Sequence, residues 1–236
     1  MADEKKQKKW HQKWWGIIFL IICGLAVIYL GLLVYKTVFI IDSQNQIKYQ
    51  NLNFFSQSPS INIRDFVEKK DAPFLGDEKA NIVIVEFGDF QCPYCQTEAP
   101  IIRQLAADNK DIKIIFRNFP NPVNHALALG AALAAQCAFE QNKFWEYHDQ
   151  LFINQNDLSD ANLKSLAQNL GLQAEQFNTC LDSSKYFSAI QTDMQDGLTL
   201  NITATPTFYI NGTKATGTIS LDAFETIIEK IRQSQK

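Results

Sequence analysis

The stretch Ile82-Val83-Ile84-Val85-Glu86-Phe87-Gly88-Asp89-Phe90-Gln91-Cys92-Pro93-Tyr94-Cys95 decides how this chain is read. Its opening β-branched run is the pattern of a strand buried on both faces in the middle of an α/β sheet. Gly88-Asp89 breaks the strand, and Pro93 stands where a helix can begin, because proline's fixed φ and missing N–H suit the first helical turn. Ile101, Ile102 and Leu105 give that helix an apolar face. Two thiols three residues apart at a helix start lie on nearly the same face and can close a tight disulfide. Cys92, at the tip, is expected to face solvent, and Cys95, almost a turn further in, to be sheltered. The unsatisfied N–H groups and the positive pole of the helix favour a thiolate on Cys92. Thiolate is the attacking species in disulfide exchange, so Cys92 reads as a nucleophile and Cys95 as the resolving thiol.

Outward from this stretch, Ile112-Lys113-Ile114-Ile115-Phe116 is a second strand. After Asn118-Phe119-Pro120-Asn121-Pro122 the apolar spacing turns helical, predicting helices at 124–140, 144–153, 159–170, 173–181 and 184–199. Thr207-Phe208-Tyr209-Ile210 is a strand, Asn211-Gly212 favours a tight hairpin turn, and a short strand follows near Lys214. A last helix covers 221–231 with Ser220 as its N-cap. This order predicts an α/β domain over 72–236 with a helical subdomain inserted at about 120–199.

The run from Val85 to Cys95 resembles the active-site strand and helix start of DsbA-like thiol–disulfide oxidoreductases, members of the thioredoxin-fold superfamily. Pro100 resembles the proline inside their active-site helix, and Thr205-Pro206-Thr207-Phe208 resembles their cis-proline loop. Phe144-Trp145-Glu146-Tyr147-His148 is similar to a stretch of their inserted helical domain. The resemblance covers roughly residues 72–232 and implies a thioredoxin fold with that insert. It implies that Pro206 is cis and holds the backbone of Thr205 beside the sulfurs for an extended substrate, with Pro93 and Tyr94 on the rim. It also implies a proton relay beneath the disulfide at Glu86, whose plain alternative is a charge at a strand end.

Three further cysteines remain. Cys23 lies in an apolar run and reads as a small filler; Cys137 and Cys180 fall in the helical insert, either bridged or as two buried thiols. Half a zinc site at Cys92 and Cys95 lacks a second CxxC, and His11, His125 and His148 are distant in sequence. No metal and no cofactor is therefore assigned; no glycine-rich nucleotide loop follows either early strand.

Charge and hydropathy place the chain. Residues 1–15 hold five Lys against Asp3 and Glu4, net +3, which leaves −6 for the rest of a chain whose total is −3. An acidic body has no electrostatic footprint for nucleic acid. From Trp14 to Tyr35 run 22 uncharged residues, about 33 Å as a helix at ~1.5 Å per residue, enough for a bilayer core of ~30 Å. A cleaved signal peptide has an apolar region of only ~7–15 residues and a small-residue cleavage site. Here the run leaves through Val34-Tyr35-Lys36 with no such site, so 14–35 reads as a retained anchor. The basic segment 1–13 predicts a cytoplasmic N-terminus, with Trp10, Trp14 and Trp15 at the inner interface and the domain outside the bacterial cytoplasmic membrane. Residues 36–71 read as a tether, with Phe66 among the aromatics able to dock on the domain.

Together these features predict a membrane-tethered thiol–disulfide oxidoreductase acting on cysteines of exported proteins. The resemblance further implies reoxidation by a quinone-linked membrane thiol oxidase. Strong oxidants of the family carry His between the cysteines; Pro93-Tyr94 offers no positive charge, so a moderate oxidant is expected. The alternatives are a reductase or isomerase of the same fold, or an anchored metal-binding module.

Overall fold

The computed structural model describes residues 62–235. The segment 1–13, the span expected at 14–35 and the tether up to residue 61 lie outside the described residues. Among the described residues, no helix is long and apolar enough to cross a membrane.

In chain order the elements are α1 (Ile63–Val67), β1 (Phe74–Gly76), β2 (Ile82–Gly88), α2 (Pro93–Asp108) and β3 (Ile112–Asn118). The insert follows as α3 (Ala128–Phe139), α4 (Phe144–Ile153), α5 (Asp160–Asn169), α6 (Ala174–Asp182) and α7 (Phe187–Thr199). The chain then returns through β4 (Thr207–Ile210), β5 (Thr213–Thr216) and α8 (Leu221–Ser234). This is the mixed α/β thioredoxin fold with a helical insert between β3 and β4.

The sheet order is β1-β3-β2-β4-β5. β2 runs parallel to β3 and antiparallel to β4, and every one of its residues is buried, as its unbroken apolar run requires. Strand pleating sends alternate side chains to opposite faces. Ile82, Ile84 and Glu86 thus share the face where Cys95, Ile102 and Leu105 of α2 and Phe224 and Ile228 of α8 pack. Val83, Val85 and Phe87 meet Ile115, Tyr209 and Val67 on the other. Asn211 and Gly212 adopt positive φ (44° and 83°), the primed hairpin geometry that the sequence announces. The Ser220 side chain accepts from the Ala223 N–H at 3.3 Å, capping α8.

Three features depart from the sequence reading. Strand β1, three residues long, is too short to show a period; it pairs antiparallel with β3. The first insert helix starts at Ala128 rather than 124, because Asn121 diverts the chain. Its Oδ1 accepts from the N–H groups of Val123 (3.2 Å) and Asn124 (3.4 Å), and its carbonyl from His125 N–H. Third, folded structure extends into the segment read as tether. The Arg117 guanidinium, fully buried, donates to Asp193 Oδ1 (2.7 Å), Asp196 Oδ2 (2.6 Å) and the Val67 carbonyl (3.2 Å). A buried charge is stable only when paired and hydrogen-bonded; Arg117 meets that need by tying α1, β3 and α7 together.

Within the insert, Cys137 of α3 and Cys180 of α6 form a disulfide, Cα atoms 5.9 Å apart across a sequence separation of 43 residues. A bridge closing a loop of that length is worth about 2–4 kcal/mol. With the Cys92–Cys95 pair oxidised, the denatured chain is expected to titrate one thiol of its five cysteines, Cys23. Three titratable thiols would disprove the Cys137–Cys180 bridge.

Candidate active site

Burial drives β2 through the centre of the sheet, and four residues separate its end from the start of α2. The connecting turn is built on Asp89. Its Oδ1 accepts from Gln91 N–H (2.7 Å), and its Oδ2 from Asn121 N–H (2.8 Å) and the His125 ring nitrogen Nδ1 (2.7 Å). Its carbonyl accepts from Cys92 N–H at 3.0 Å, and its own N–H donates to Cys95 Sγ at 3.5 Å. Cys92 is the N-cap residue of α2 in extended conformation, with Pro93 in the first turn.

Both sulfurs are thiols here and both are buried. Cys95 is fully covered as expected. Cys92 is not the solvent-facing group predicted from its position; it is 4% exposed, because the Thr205–Pro206 loop lies against it. That peptide bond is cis, and Cys92 Sγ lies 3.3 Å from the Thr205 carbonyl, to which it donates when protonated as the thiol. Pro93 is exposed and Tyr94 is 65% exposed, forming an open rim beside the covered sulfur. Pro100 sits inside α2 without ending it.

The environment drives the two thiols apart. Cys92 is lowered to about 5, first by the hydrogen bond from the Cys95 thiol, then, against the cost of burial, by the Thr205 hydroxyl and the amides of Cys95 and Tyr94. Cys95 is pushed well above the usual thiol range, chiefly by burial. At neutral pH the pair therefore holds one thiolate, on Cys92, hydrogen-bonded by one thiol, Cys95. The neighbouring thiol outweighs the other groups acting on Cys92; the helix-start amides add to it.

Beneath the pair lies Glu86, on the α2 face of β2 and without a hydrogen-bond partner on either carboxyl oxygen among the described residues. Burial, with smaller contributions from the charges of Glu98 and Cys92, raises it to about 8. Gly88 leaves it room: a Cβ there would stand 2.5 Å from the Phe116 ring and 3.3 Å from Glu86 Oε1. A neutral carboxyl beside a thiol–thiolate pair can give or take a proton.

The structure thus brings together Glu86, Cys92, Pro93, Tyr94, Cys95, Thr205 and Pro206, and places Cys137–Cys180 apart in the insert as a bridge. Among the described residues no cluster of three or more His, Cys, Asp or Glu is arranged to hold a metal ion. The sequence reading missed Glu98, a second buried carboxyl raised to about 7 by burial, accepting from Ile219 N–H at 3.2 Å. An acid three residues after Cys95 on the buried face of the helix is the signal that marks it. It also missed Gln155, whose side chain reaches the turn from 63 residues away with no local signature.

The fold and this thiol pair form a site suited to thiol–disulfide exchange. The chain belongs to the thioredoxin family, whose family model matches residues 68–230. Among solved structures it is similar to BdbD from Bacillus subtilis (29% identity, 67% of this chain and 91% of that one, TM-score 0.61). Alpha-DsbA1 from Wolbachia pipientis shares 25% identity over 72% of this chain and 94% of that one, TM-score 0.61. Among curated proteins it resembles the Na(+)/H(+) antiporter NhaA 1 of Salinispora arenicola, 33% identical over 153 residues, 65% of this chain. The chain spans about a quarter of that relative's length, 24%.

The raised Glu86 carboxyl gives a sign-specific prediction. Unfolded it ionises near 4.5, folded near 8, so it costs nothing below about pH 4.5 and withdraws stability progressively as the pH rises to about 8. Glu86→Gln, which cannot ionise, is expected to stabilise the protein by about 3 kcal/mol at pH 7. The gain should vanish near pH 4, as read by urea unfolding. An equal gain at both values would contradict the buried neutral acid.

Proposed function

We propose that this protein donates disulfides to cysteine pairs of exported proteins, as a moderate oxidant. The observation that carries this reading is the Cys92 sulfur held at about 5 beside a Cys95 held as thiol. A thiolate stabilised to that degree favours the dithiol form at pH 7 and so makes the disulfide the more ready to be reduced by a substrate.

In the oxidised enzyme a substrate thiolate attacks Cys92 Sγ, the Cys92–Cys95 bond breaks, and the electron pair leaves on Cys95. Glu86, neutral in its buried site, supplies the proton that Cys95 requires. The substrate's second thiolate then attacks the substrate sulfur of the mixed disulfide and expels Cys92 as a thiolate, a good leaving group because of its low basicity. The substrate leaves with a disulfide and the enzyme as the dithiol. The Thr205 backbone, next to Cys92, receives the substrate as an extended strand, with Pro93 and Tyr94 at the rim. The sulfurs carry the electrons themselves, and no cofactor is assigned.

The N-terminal sequence supports the setting: residues 14–35 anchor the protein in the bacterial cytoplasmic membrane, with 1–13 inside and the catalytic domain outside. Reoxidation then falls to a quinone-linked thiol oxidase in the same membrane. The likeness to BdbD and alpha-DsbA1 supports the thiol-exchange reading; ion transport belongs to the antiporters' own names and is not carried over.

The reduction potential of the Cys92–Cys95 pair, set by glutathione equilibration, tests the direction. Thiolate stabilisation to about 5 is worth about 50 mV relative to a thiol near 7, which lifts the thioredoxin value of about −270 mV to a predicted potential of about −220 mV. A value near −270 mV, that of thioredoxin, would make the protein a reductase.

A further inference from the structure

Gln155 stands two residues beyond the end of α4, where the chain turns back. Asn154 Nδ2 donates to the Gln150 carbonyl and Asp157 N–H to the Asn154 carbonyl, each at 2.8 Å, which fixes the turn. From it the Gln155 side chain reaches the active-site turn, and Nε2 donates to the carbonyls of Phe90 (3.0 Å) and Cys92 (2.9 Å). An amide nitrogen carries two hydrogens, and both are used. The flipped amide would set its oxygen against two carbonyl oxygens, so the acceptors fix the orientation.

The Cys92 carbonyl is the hinge between the turn and α2. It also accepts from Gln96 N–H at 3.1 Å, the first bond of the helix, so its two lone pairs are taken by one donor from α2 and one from the insert. The peptide unit it belongs to ends in Pro93 and has no N–H. Its oxygen is therefore the only polar handle by which that plane can be held. The orientation of that plane sets where the next two N–H groups point, those of Tyr94 and Cys95, and both act on the Cys92 sulfur. A second glutamine crosses the same boundary in the other direction: Gln96 Nε2 donates to the Phe152 carbonyl at 2.7 Å. That bond joins α2 to α4 without touching the turn.

We propose that Gln155 is a positioning residue for thiol–disulfide exchange: by holding the Cys92 carbonyl from the helical insert, it keeps the helix-start amides aimed at the Cys92 sulfur and makes the insert part of the thiolate's support. The insert is then more than a cover over the site. One of its side chains tunes the reacting sulfur through the backbone.

The test compares two ways of cutting the boundary in the full-length reduced protein. Gln155→Met keeps the side chain's length and loses both donors; Gln155→Asn keeps an amide but not its reach, and stands in if the first variant folds poorly. Gln96→Met removes the other crossing bond and leaves the Cys92 carbonyl held. The readout is the pH midpoint of Cys92 alkylation by iodoacetamide, followed by peptide mapping, with urea unfolding measured alongside. Either Gln155 variant is expected to raise the midpoint by about one unit, the size of one lost hydrogen bond to a charged group. Gln96→Met is expected to leave it within about 0.3 unit while lowering stability comparably. Equal shifts in all variants, or none in any, would overturn the proposal and leave Gln155 as a stitch between subdomains. The inference rests on Cys92 as the thiolate; an unmodified protein with a midpoint near about 8.5 would overturn that reading itself, independently of Gln155.

Discussion

Asp89 is buried, and each polar atom it carries is used: its N–H by Cys95 Sγ, its carbonyl by Cys92 N–H, and its two carboxylate oxygens by Gln91, Asn121 and His125. A carboxylate can be buried only when its lone pairs are filled; with the backbone carbonyl and N–H of the same residue also bonded, Asp89 fixes three segments at once. The turn after β2 is closed on Cys92, Cys95 receives a donor, and the chain entering the insert is pinned at Asn121 and His125. The position of both sulfurs relative to the sheet follows from this one residue. So does the departure of the insert from the end of β3, beside the site rather than away from it.

Around that turn the protein separates charge over short distances. Four ionisable groups meet on one side of the sheet, Glu86, Cys92, Cys95 and Glu98; burial raises three of them, holding Cys95 and Glu86 mainly protonated near neutral pH and bringing Glu98 to about 7. The fourth, Cys92, is the one to which donors are directed. Negative charge is thus directed onto the sulfur next to Thr205, while Glu86 and Cys95 form a reserve of protons. Exchange chemistry requires that asymmetry: one sulfur that leaves or attacks as an anion, and another that is protonated when freed. The cost is carried by the rest of the domain, through the core on both faces of β2, the Arg117 pairing with Asp193 and Asp196, and the Cys137–Cys180 bridge.

What the sequence made legible was what neighbouring residues determine. Ile82–Gly88 followed by Cys92-Pro93-Tyr94-Cys95 declares a buried strand, a break and a helix start, and Asn211-Gly212 declares its hairpin. Thr205-Pro206 was legible only through resemblance, since nothing local dictates a cis bond there. Interactions between distant segments were hidden. Arg117 and its aspartates are separated by 76 and 79 residues, Gln155 and Cys92 by 63, and neither pair has a local pattern. The cover over Cys92 was hidden for the same reason, because it comes from a loop more than a hundred residues away. Glu98 was within reach, as a charged residue on the buried face of a helix whose apolar stripe was already recognised.

The central claim is that Cys92 is the sulfur that bonds to the partner and Cys95 the one that resolves it. Single variants of the full-length protein exposed to glutathione disulfide test it most directly, with adducts located by peptide mapping and reversed by reductant. The account predicts that Cys95→Ala accumulates a mixed disulfide on Cys92, and that Cys92→Ala leaves Cys95 unmodified. Glutathione on Cys95 in the Cys92→Ala protein, at a rate matching that of Cys92 in the other variant, would contradict it.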